Sequence, residues 1–164
     1  LIVMAGVVFL GVADWRHENW APGFYPDDMP MEWRLTYYNT QFDCVWLGYS
    51  AWSAERLEAL HEWVADTRGD FRFVLESFGD ISLVGDARLA AIAPRLARVT
   101  EKSDPDLIWF DASANLRTLM ERIDVRVKQA PSTYLISLDA HLATIERVKL
   151  LVEMLGVGPR RRVG

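Results

Sequence analysis

Five short apolar runs, each followed by a helical pattern, are the feature that most constrains how this chain folds. The runs are apolar at successive residues, which is typical of strands that are covered on both faces. Five successive strand–helix units predict an α/β fold with one parallel sheet and right-handed crossovers. The predicted strands are Val7–Ala13, Cys44–Tyr49, Phe71–Leu75, Leu107–Phe110 and Tyr134–Leu138.

Helix starts and ends are predicted from residue type in the segments between these strands. Ser53 and Asp86 are predicted N-caps, because their side-chain oxygens accept hydrogen bonds from the first amides of a helix. The helix after Asp86 is predicted to carry its apolar stripe as far as Val99, with a kink or a break at Pro94. Gly156 is the predicted terminator of the last helix.

Length and composition predict a single domain over residues 1–164 with neither a membrane span nor a nucleic-acid partner. The chain is 51% hydrophobic and 25% charged, as in ordinary globular proteins, and its net charge of −5 provides no basic field. Residues 1–13 are apolar but too few to span a bilayer. We expect either that translation begins at Met4 or that residues 1–3 are an addition to the natural chain. The arginines at 160–162 are expected to form a solubilising tail. Cys44 is the only cysteine, which indicates a buried structural thiol and a cytoplasmic location.

The segment after the first predicted strand carries aromatic residues in a specific order. It reads Gly-x-x-x-Trp, a second Trp, Phe-Tyr-Pro, Trp-x-Leu-x-Tyr-Tyr and Phe, and it resembles the start of the DUF72 (YecE-like) family, a domain of unknown function. The likeness continues to Phe71-Arg72-Phe73 and covers residues 1–78, about the first half of the chain. The positions that carry it are Gly11, Trp15, Trp20, Phe24, Tyr25, Pro26, Trp33, Leu35, Tyr37, Tyr38 and Phe42.

The resemblance implies a single-domain TIM barrel of unknown biochemical function. Three inward-pointing polar positions of the family are replaced in this chain. The second strand has Trp46 and Gly48 where the family has Glu and Asn, and the third strand ends in Glu76 where the family has Lys. Asp14 also departs from the family's Ser-Gly-Trp turn. These departures imply that any activity of the family is lost or changed here.

The length of the chain conflicts with a complete barrel. A barrel of eight strand–helix units needs about 250 residues, so 164 residues with five visible units do not close eight strands. We predict a shortened or partial TIM-barrel-like fold, and an open, doubly wound five-stranded sheet is the alternative. A barrel that lacks units leaves strand edges unpaired, so a homo-oligomer is also expected.

An acidic residue directly follows four of the five predicted strands, and histidines follow the first and the fifth strand within a few residues. Functional groups of parallel α/β folds gather at the carboxyl ends of the strands, where such a cluster would suit a divalent cation. The alternative for each acid is a helix cap or an Asx-turn. The chain contains no compact metal motif, so the cofactor stays undetermined. The candidate catalytic residues are Asp14, His17, Glu76, Asp111, Asp139 and His141.

The aromatic residues form a second candidate site. The rings of Trp15, Trp20, Tyr25 and Trp33 would form a stacking platform for a sugar or a base. Arg16 and His17 lie among the tryptophans and indicate a polar rim. The alternative is a lid that packs on the core. The candidate ligand-binding residues are Trp15, Arg16, Trp20, Tyr25 and Tyr49.

Two functions follow from these features. The favoured hypothesis is a non-catalytic binding or interaction scaffold that takes a small-molecule ligand, because the inward polar positions of the family are lost and the chain is short. The alternative is a divergent barrel enzyme, a metal-assisted hydrolase that acts on a small polar or phosphorylated substrate.

Overall fold

The computed structural model describes residues 6–20, 23–79 and 85–159. The expectations for Met4 and for the arginines at 160–162 lie outside these residues. The strands are β1 Val7–Ala13, β2 Cys44–Leu47, β3 Arg72–Glu76, β4 Leu96–Thr100, β5 Leu107–Phe110 and β6 Ser132–Ser137. The helices are α1 Arg34–Gln41, α2 Tyr49–Ser53, α3 Leu57–Ala65, α4 Ala87–Ile92, α5 Leu116–Gln129 and α6 Leu142–Leu155. Over the described ranges, no helix combines the length and the apolar character needed to cross a membrane.

The chain divides into two compact units. The terminal unit comprises Leu1–Val12 and Ser103–Gly164, and the central unit comprises Ala13–Lys102. In the terminal unit the strands lie in the order β1-β6-β5, and both pairings are parallel. In the central unit the order is β2-β3-β4, again with parallel pairings. The predicted α/β class with parallel strands is therefore confirmed.

The core of the terminal unit is built on β6. Leu135 lies opposite Leu10 on one side and opposite Ile108 on the other, and all three side chains are buried. Helix α5 buries Leu119, Ile123 and Val127, which are four residues apart and therefore share one face. Each such side chain contributes about 1.5–3 kcal/mol when it leaves water.

The core of the central unit is built on β2 and β3. All four residues of β2 are buried, which explains why its sequence is apolar at every position. Val45 lies opposite Phe73 and Leu47 lies opposite Leu75. Helix α3 adds the buried Leu60 and Trp63 to this core.

The second half of the predicted helix from Asp86 to Val99 is wrong. Asp86 does cap α4, because its carboxylate accepts a hydrogen bond from the Arg88 amide at 2.8 Å. The helix ends at Ile92, since Pro94 has no amide hydrogen and its ring obstructs a continuing helix. The next residues form β4, which contains the β-branched Val99 and Thr100. The described residues therefore contain six strands, where the sequence predicted five.

The helix boundaries follow the sequence in part. Gly156 ends α6 with a left-handed φ of 65°, as predicted. The predicted N-cap at Ser53 is wrong, because Ser53 is the last residue of the short helix α2, and α3 follows Arg56. Helix α2 begins directly after Gly48, where the side chain of a residue distant in sequence, Glu76, accepts its first amide hydrogen.

Candidate functional site

Asp14 follows β1 directly and organises the turn after it. The residue adopts a left-handed φ of 65°, a conformation that aspartate tolerates better than most side chains. Its Oδ1 accepts hydrogen bonds from the amides of Trp15 and Arg16 at 2.7 and 3.0 Å. The Arg16 guanidinium donates to both carboxylate oxygens at 2.9 Å. The carboxylate is thus committed to its own turn and to one arginine.

Arg16 joins two carboxylates and lies against two indoles. Its Nη1 donates to Glu55 Oε1 at 2.9 Å, and its guanidinium carbon lies 4.8 Å from the ring centroid of Trp15 and 5.8 Å from that of Trp63. Burial raises the pKa of Asp14, but the hydrogen bonds and the charge of Arg16 lower it more, so the net pKa lies below its ordinary value. Asp14 is therefore ionised at neutral pH, and its charge is balanced by Arg16.

His17 closes the same turn. Its Nε2 lies 2.8 Å from the carbonyl oxygen of Ala13 and 3.1 Å from that of Asp14, so this nitrogen carries a hydrogen and donates it. The imidazole packs against Trp20 with the ring centroids 4.7 Å apart. The histidine therefore links the end of β1 to the aromatic core.

Three of the candidate ligand-binding aromatics, Trp15, Trp20 and Tyr25, lie in the core. Trp20 has no exposed surface and stacks on Tyr38 and Phe42, with centroids 6.3 and 6.4 Å away. Tyr25 is 2% exposed, and its hydroxyl donates to the carbonyl oxygen of Trp15. Burial raises the pKa of Tyr25 well above its ordinary value. The chain itself covers these rings, as the lid interpretation expects.

Glu76 ends β3 and holds the start of α2. Its Oε1 accepts the Tyr49 amide hydrogen at 3.0 Å, and its carbonyl oxygen accepts the Trp52 Nε1 hydrogen at 2.9 Å. The ring of Tyr49 stacks on the exposed Phe78 at 4.8 Å. The carboxylate therefore acts as a helix cap.

The candidate residues of the terminal unit also accept hydrogen bonds in the turns that follow β5 and β6. Asp111 accepts hydrogen bonds from the Ser113 amide at 2.9 Å and from its hydroxyl, and these bonds lower the pKa of Asp111. Asp139 accepts the His141 amide hydrogen within its own turn at 3.3 Å, and it accepts the Ala112 amide hydrogen from the turn after β5 at 2.8 Å. His141 caps α6, since its Nδ1 accepts the Thr144 amide hydrogen at 3.3 Å. The local contacts match the cap and Asx-turn alternatives, and the bond of Asp139 to Ala112 joins two neighbouring turns.

The six candidate catalytic residues are distributed over both units. Asp14, His17 and Glu76 lie in the central unit, whereas Asp111, Asp139 and His141 lie in the terminal unit. In the part of the chain that the structure describes, no three His, Cys, Asp or Glu side chains are grouped so that they would hold a metal ion. The catalytic role of these residues remains a hypothesis.

The central unit contains a solvent-open groove beside Trp33, which we call the Trp33 groove. It consists of two cavities of about 530 and 470 Å³ that share Glu32, Trp33 and Asp66. Because three lining residues are common to both cavities, the cavities adjoin. The first is also lined by Trp15, Arg16, Met31, Leu35, Glu62, Trp63 and Ala65, and the second by Met29, Thr36, Tyr37 and Thr40.

The exposed side chains of the Trp33 groove follow from the local backbone. Pro30 precedes a single 3-10 turn over Met31–Trp33, and this turn leads directly into α1. The turn leaves Met31 60% exposed and Trp33 61% exposed, whereas Leu35 is buried in the core. An indole this exposed is unusual, because tryptophan is highly buried on average.

The groove carries more negative than positive charge. Glu62 and Asp66 lie four residues apart at the end of α3, on one face of the helix, and Glu32 lines the same cavity. Burial, followed by the charge of Glu62, raises the pKa of Asp66. The one cation of the lining, Arg16, is already paired with two carboxylates outside the lining.

Sequence reasoning identified part of this groove. Trp15, Arg16 and Trp33 were among the candidate aromatic and polar residues, but the acids Glu32 and Asp66 were missed. The available signal was the spacing of Glu62 and Asp66, which puts two carboxylates on one helix face. The spacing does not tell which residues face them, because that depends on how α1 and α3 are placed.

The chain belongs to the DUF72 family, described as a protein of unknown function, whose family model matches residues 9–158. The resemblance of the first 78 residues is thereby confirmed and extended. A crystal structure of a DUF72 family protein from Thermotoga maritima has a TM-score of 0.65 at 14% identity, and the match covers 90% of this chain and 99% of that chain. One from Enterococcus faecalis has a TM-score of 0.59 at 12% identity and covers 93% and 98%. At such identities the likeness shows the fold alone. Among curated proteins nothing matches this sequence.

Proposed function

We propose that this DUF72 protein is a non-catalytic binding protein and that the Trp33 groove is its ligand-binding surface. The observation that carries the proposal is the exposure of Trp33 and Met31, at 61% and 60%, within a groove of ligand size. Exposed apolar surface rimmed by polar groups is typical of interaction sites. An indole that becomes buried by a ligand contributes a large apolar area to binding.

The contacts of the candidate acids support binding rather than catalysis. Asp14 is committed to Arg16, Glu76 to the amide of Tyr49, and Asp111 to Ser113. A carboxylate that coordinates a catalytic metal, or moves a proton, needs oxygen lone pairs directed at the substrate. These carboxylates direct lone pairs at their own backbone and side-chain partners.

The alternative function is a metal-assisted hydrolase acting on a small polar or phosphorylated substrate. Its cluster would be Asp14, His17, Glu76, Asp111, Asp139 and His141, with a divalent cation as cofactor. The placement of Asp14 and His17 in one turn at the end of β1 is the observation in its favour. The melting temperature of the chain with and without a divalent metal separates the hydrolase function from the binding function.

We further propose a shortened TIM-barrel architecture, a cytoplasmic location and a homo-oligomer. The parallel pairings and the likeness to DUF72 structures support the architecture. Cys44 is a free, buried cysteine, and burial raises the pKa of its thiol, so it is an inert structural residue suited to a reducing compartment. A light-scattering mass of one chain across micromolar concentrations would rule out the homo-oligomer.

Fluorine NMR of the protein labelled with 5-fluorotryptophan tests the binding function. The chain has seven tryptophans, and the Trp33 resonance is assigned as the one lost in Trp33→Phe. We expect members of a library of sugars, nucleosides, aromatic fragments and short peptides to shift the Trp33 resonance and to leave that of the core residue Trp20 in place. If no member of the library shifts Trp33, the groove is not a ligand site and the proposal fails.

A further inference from the structure

Two arginines of the central unit are each held between an indole and a carboxylate. The Arg16 guanidinium lies 4.8 Å from the Trp15 ring centroid, and it pairs with Asp14 at 2.9 Å. Arg88 lies 5.5 Å from the Trp52 ring centroid, and it pairs with Asp86 at 3.1 Å. Both contacts use the same chemistry, in which the ring face attracts the cation and the carboxylate accepts its hydrogens.

The Trp33 groove contains the same ring and carboxylate without an arginine between them. Glu32 and Asp66 line both of its cavities together with the exposed indole of Trp33. Over the residues that the structure describes, no cation lies on the Trp33 ring, and neither Glu32 nor Asp66 forms an ion pair. A guanidinium from another molecule would complete the arrangement.

We propose that the Trp33 groove binds an arginine-bearing extended segment of a partner protein. The guanidinium stacks on Trp33, and Glu32 and Asp66 accept its hydrogen bonds. The inference rests on the proposed binding function and adds the chemical class of the partner.

The charges of the groove favour a cation. Burial and the neighbouring Glu62 both oppose ionisation of Asp66, so a bound guanidinium relieves a repulsion that the free protein carries. Arg16 does not compensate this charge, because Asp14 and Glu55 already occupy its guanidinium. Arginine suits the site better than lysine, since its planar group stacks on an indole and donates two parallel hydrogen bonds to a carboxylate.

The shape of the groove favours a segment of chain over an isolated cation. The two cavities adjoin at the residues that they share, Glu32, Trp33 and Asp66. A ligand that occupies both cavities must therefore extend along the groove past Trp33. Met31 lines the first cavity, and Met29 and Tyr37 line the second. Apolar side chains that flank the arginine of a bound segment would pack against these residues.

Selection of peptides against the full chain tests the inference. A random dodecapeptide phage library is panned on the immobilised protein, and the selected peptides are synthesised with a fluorescent label for anisotropy titrations. We expect an arginine flanked by apolar residues in the selected sequences. Replacing that arginine by citrulline, which keeps the shape and removes the charge, is expected to weaken binding about tenfold or more. Replacing it by lysine, which keeps the charge, is expected to weaken binding less.

Variants of the protein locate the contact. Trp33→Ala, Glu32→Gln and Asp66→Asn are each expected to weaken binding of the selected peptide about tenfold, and Trp33→Phe less. Glu153→Gln is the matched control, because Glu153 is an exposed acid on α6 of the terminal unit, and its replacement changes the net charge equally. It should leave the affinity unchanged.

The outcomes distinguish this inference from the function on which it rests. Peptides that bind through Trp33 without an arginine overturn the inference and leave the binding function in place. Peptides that bind Trp33→Ala as tightly as the native chain, or a selection that yields none, also overturn it. The binding function itself fails only if the Trp33 fluorine resonance stays unchanged with every ligand of the wider library.

Discussion

At the residue scale, side chains of the same aromatic segment have opposite roles. Trp20 has no exposed surface and stacks in the core, whereas Trp33 is 61% exposed and lines the groove. Asp14 directs its carboxylate at backbone amides and Arg16, whereas Asp66 has no ion-pair partner among the described residues and carries a raised pKa. The first member of each pair is structural, and the second is available to a ligand.

Replacing Trp20 and Trp33 separately tests this division. Trp20→Ala removes a fully buried indole, so the free energy of unfolding should fall by about 3–5 kcal/mol. Trp33→Ala removes an exposed side chain and should change that free energy by less than about 0.5 kcal/mol. Urea denaturation of both variants gives the comparison. Equal losses would mean that Trp33 is a core residue and not a ligand contact.

Asp14→Asn tests the carboxylate at the end of β1. Asparagine tolerates the left-handed φ but loses the charge, so the free energy of unfolding should fall by about 1–2 kcal/mol at neutral pH. The pKa of Asp14 is lower in the folded protein than its ordinary value of 3.8. The stability that the Asp14 carboxylate contributes is therefore fully present above pH 3.8, and it is lost as the pH falls through the pKa of the folded protein. The deficit of the variant should therefore shrink below about pH 4.

Urea denaturation at several pH values measures this dependence. Asp124→Asn is the control, because the ion pair of Asp124 with Lys128 is exposed on one helix face and should contribute less than about 0.5 kcal/mol. If Asp14→Asn is less stable than the native chain by the same free energy from neutral pH down to the acid transition, the pKa of Asp14 is not lowered in the folded protein.

At the element scale, short polar contacts decide where the helices begin. Asp86, Asn115 and His141 each accept an amide hydrogen in the first turn of α4, α5 and α6. Helix α2 instead uses a distant residue, Glu76. The first three caps are local, so substitutions there act on a single element.

Asn115→Ala should destabilise α5 at its start. The Asn115 side chain accepts the Thr118 amide hydrogen at 3.1 Å, and loss of such a cap costs about 1 kcal/mol. Asn115→Asp retains the acceptor and should keep the stability of the native chain. Denaturation gives the free energies, and hydrogen exchange at the Thr118 amide should accelerate in Asn115→Ala only. Equal exchange in all three proteins would show that the cap contributes nothing.

At the scale of the whole molecule, the chain is a DUF72 protein with parallel strands in each of two compact units. Candidate acids occur in both units. In the hydrogen bonds described above, each acid accepts a hydrogen from a residue of the same unit. The choice between a binding protein and a hydrolase therefore depends on how the complete chain responds to metal.

Divalent metal should leave the melting temperature of the chain unchanged, because the candidate carboxylates are occupied by hydrogen bonds. A hydrolase site would bind the cation only when folded, and at a hundredfold excess over the dissociation constant this adds about 2.7 kcal/mol of stability. For a chain of this length the shift would be about 5–10 °C. Calorimetry with millimolar magnesium, manganese or zinc measures it. A metal-induced rise in melting temperature that disappears in the double variant Asp111→Asn and Asp139→Asn would establish the metal site and overturn the non-catalytic function.

The sequence by itself determined the elements whose cause is local. Strands β1 and β5 were predicted at their observed bounds, because a strand buried on both faces leaves an apolar run. The Asp86 cap and the Gly156 terminator were also predicted, since each depends on neighbouring backbone groups. The spacing of the aromatic residues was sufficient to identify the family.

Only the tertiary structure decided the features that depend on distant neighbours. Leu96–Thr100 fits a helical stripe as well as a strand, and its pairing with β3 makes it β4. Trp20 and Trp33 are chemically identical, and packing on Tyr38 and Phe42 buries the first while the turn after Pro30 exposes the second. The groove combines residues of α1 and α3 that are far apart in sequence, and residue spacing along one chain carries no information on which side chains will face each other.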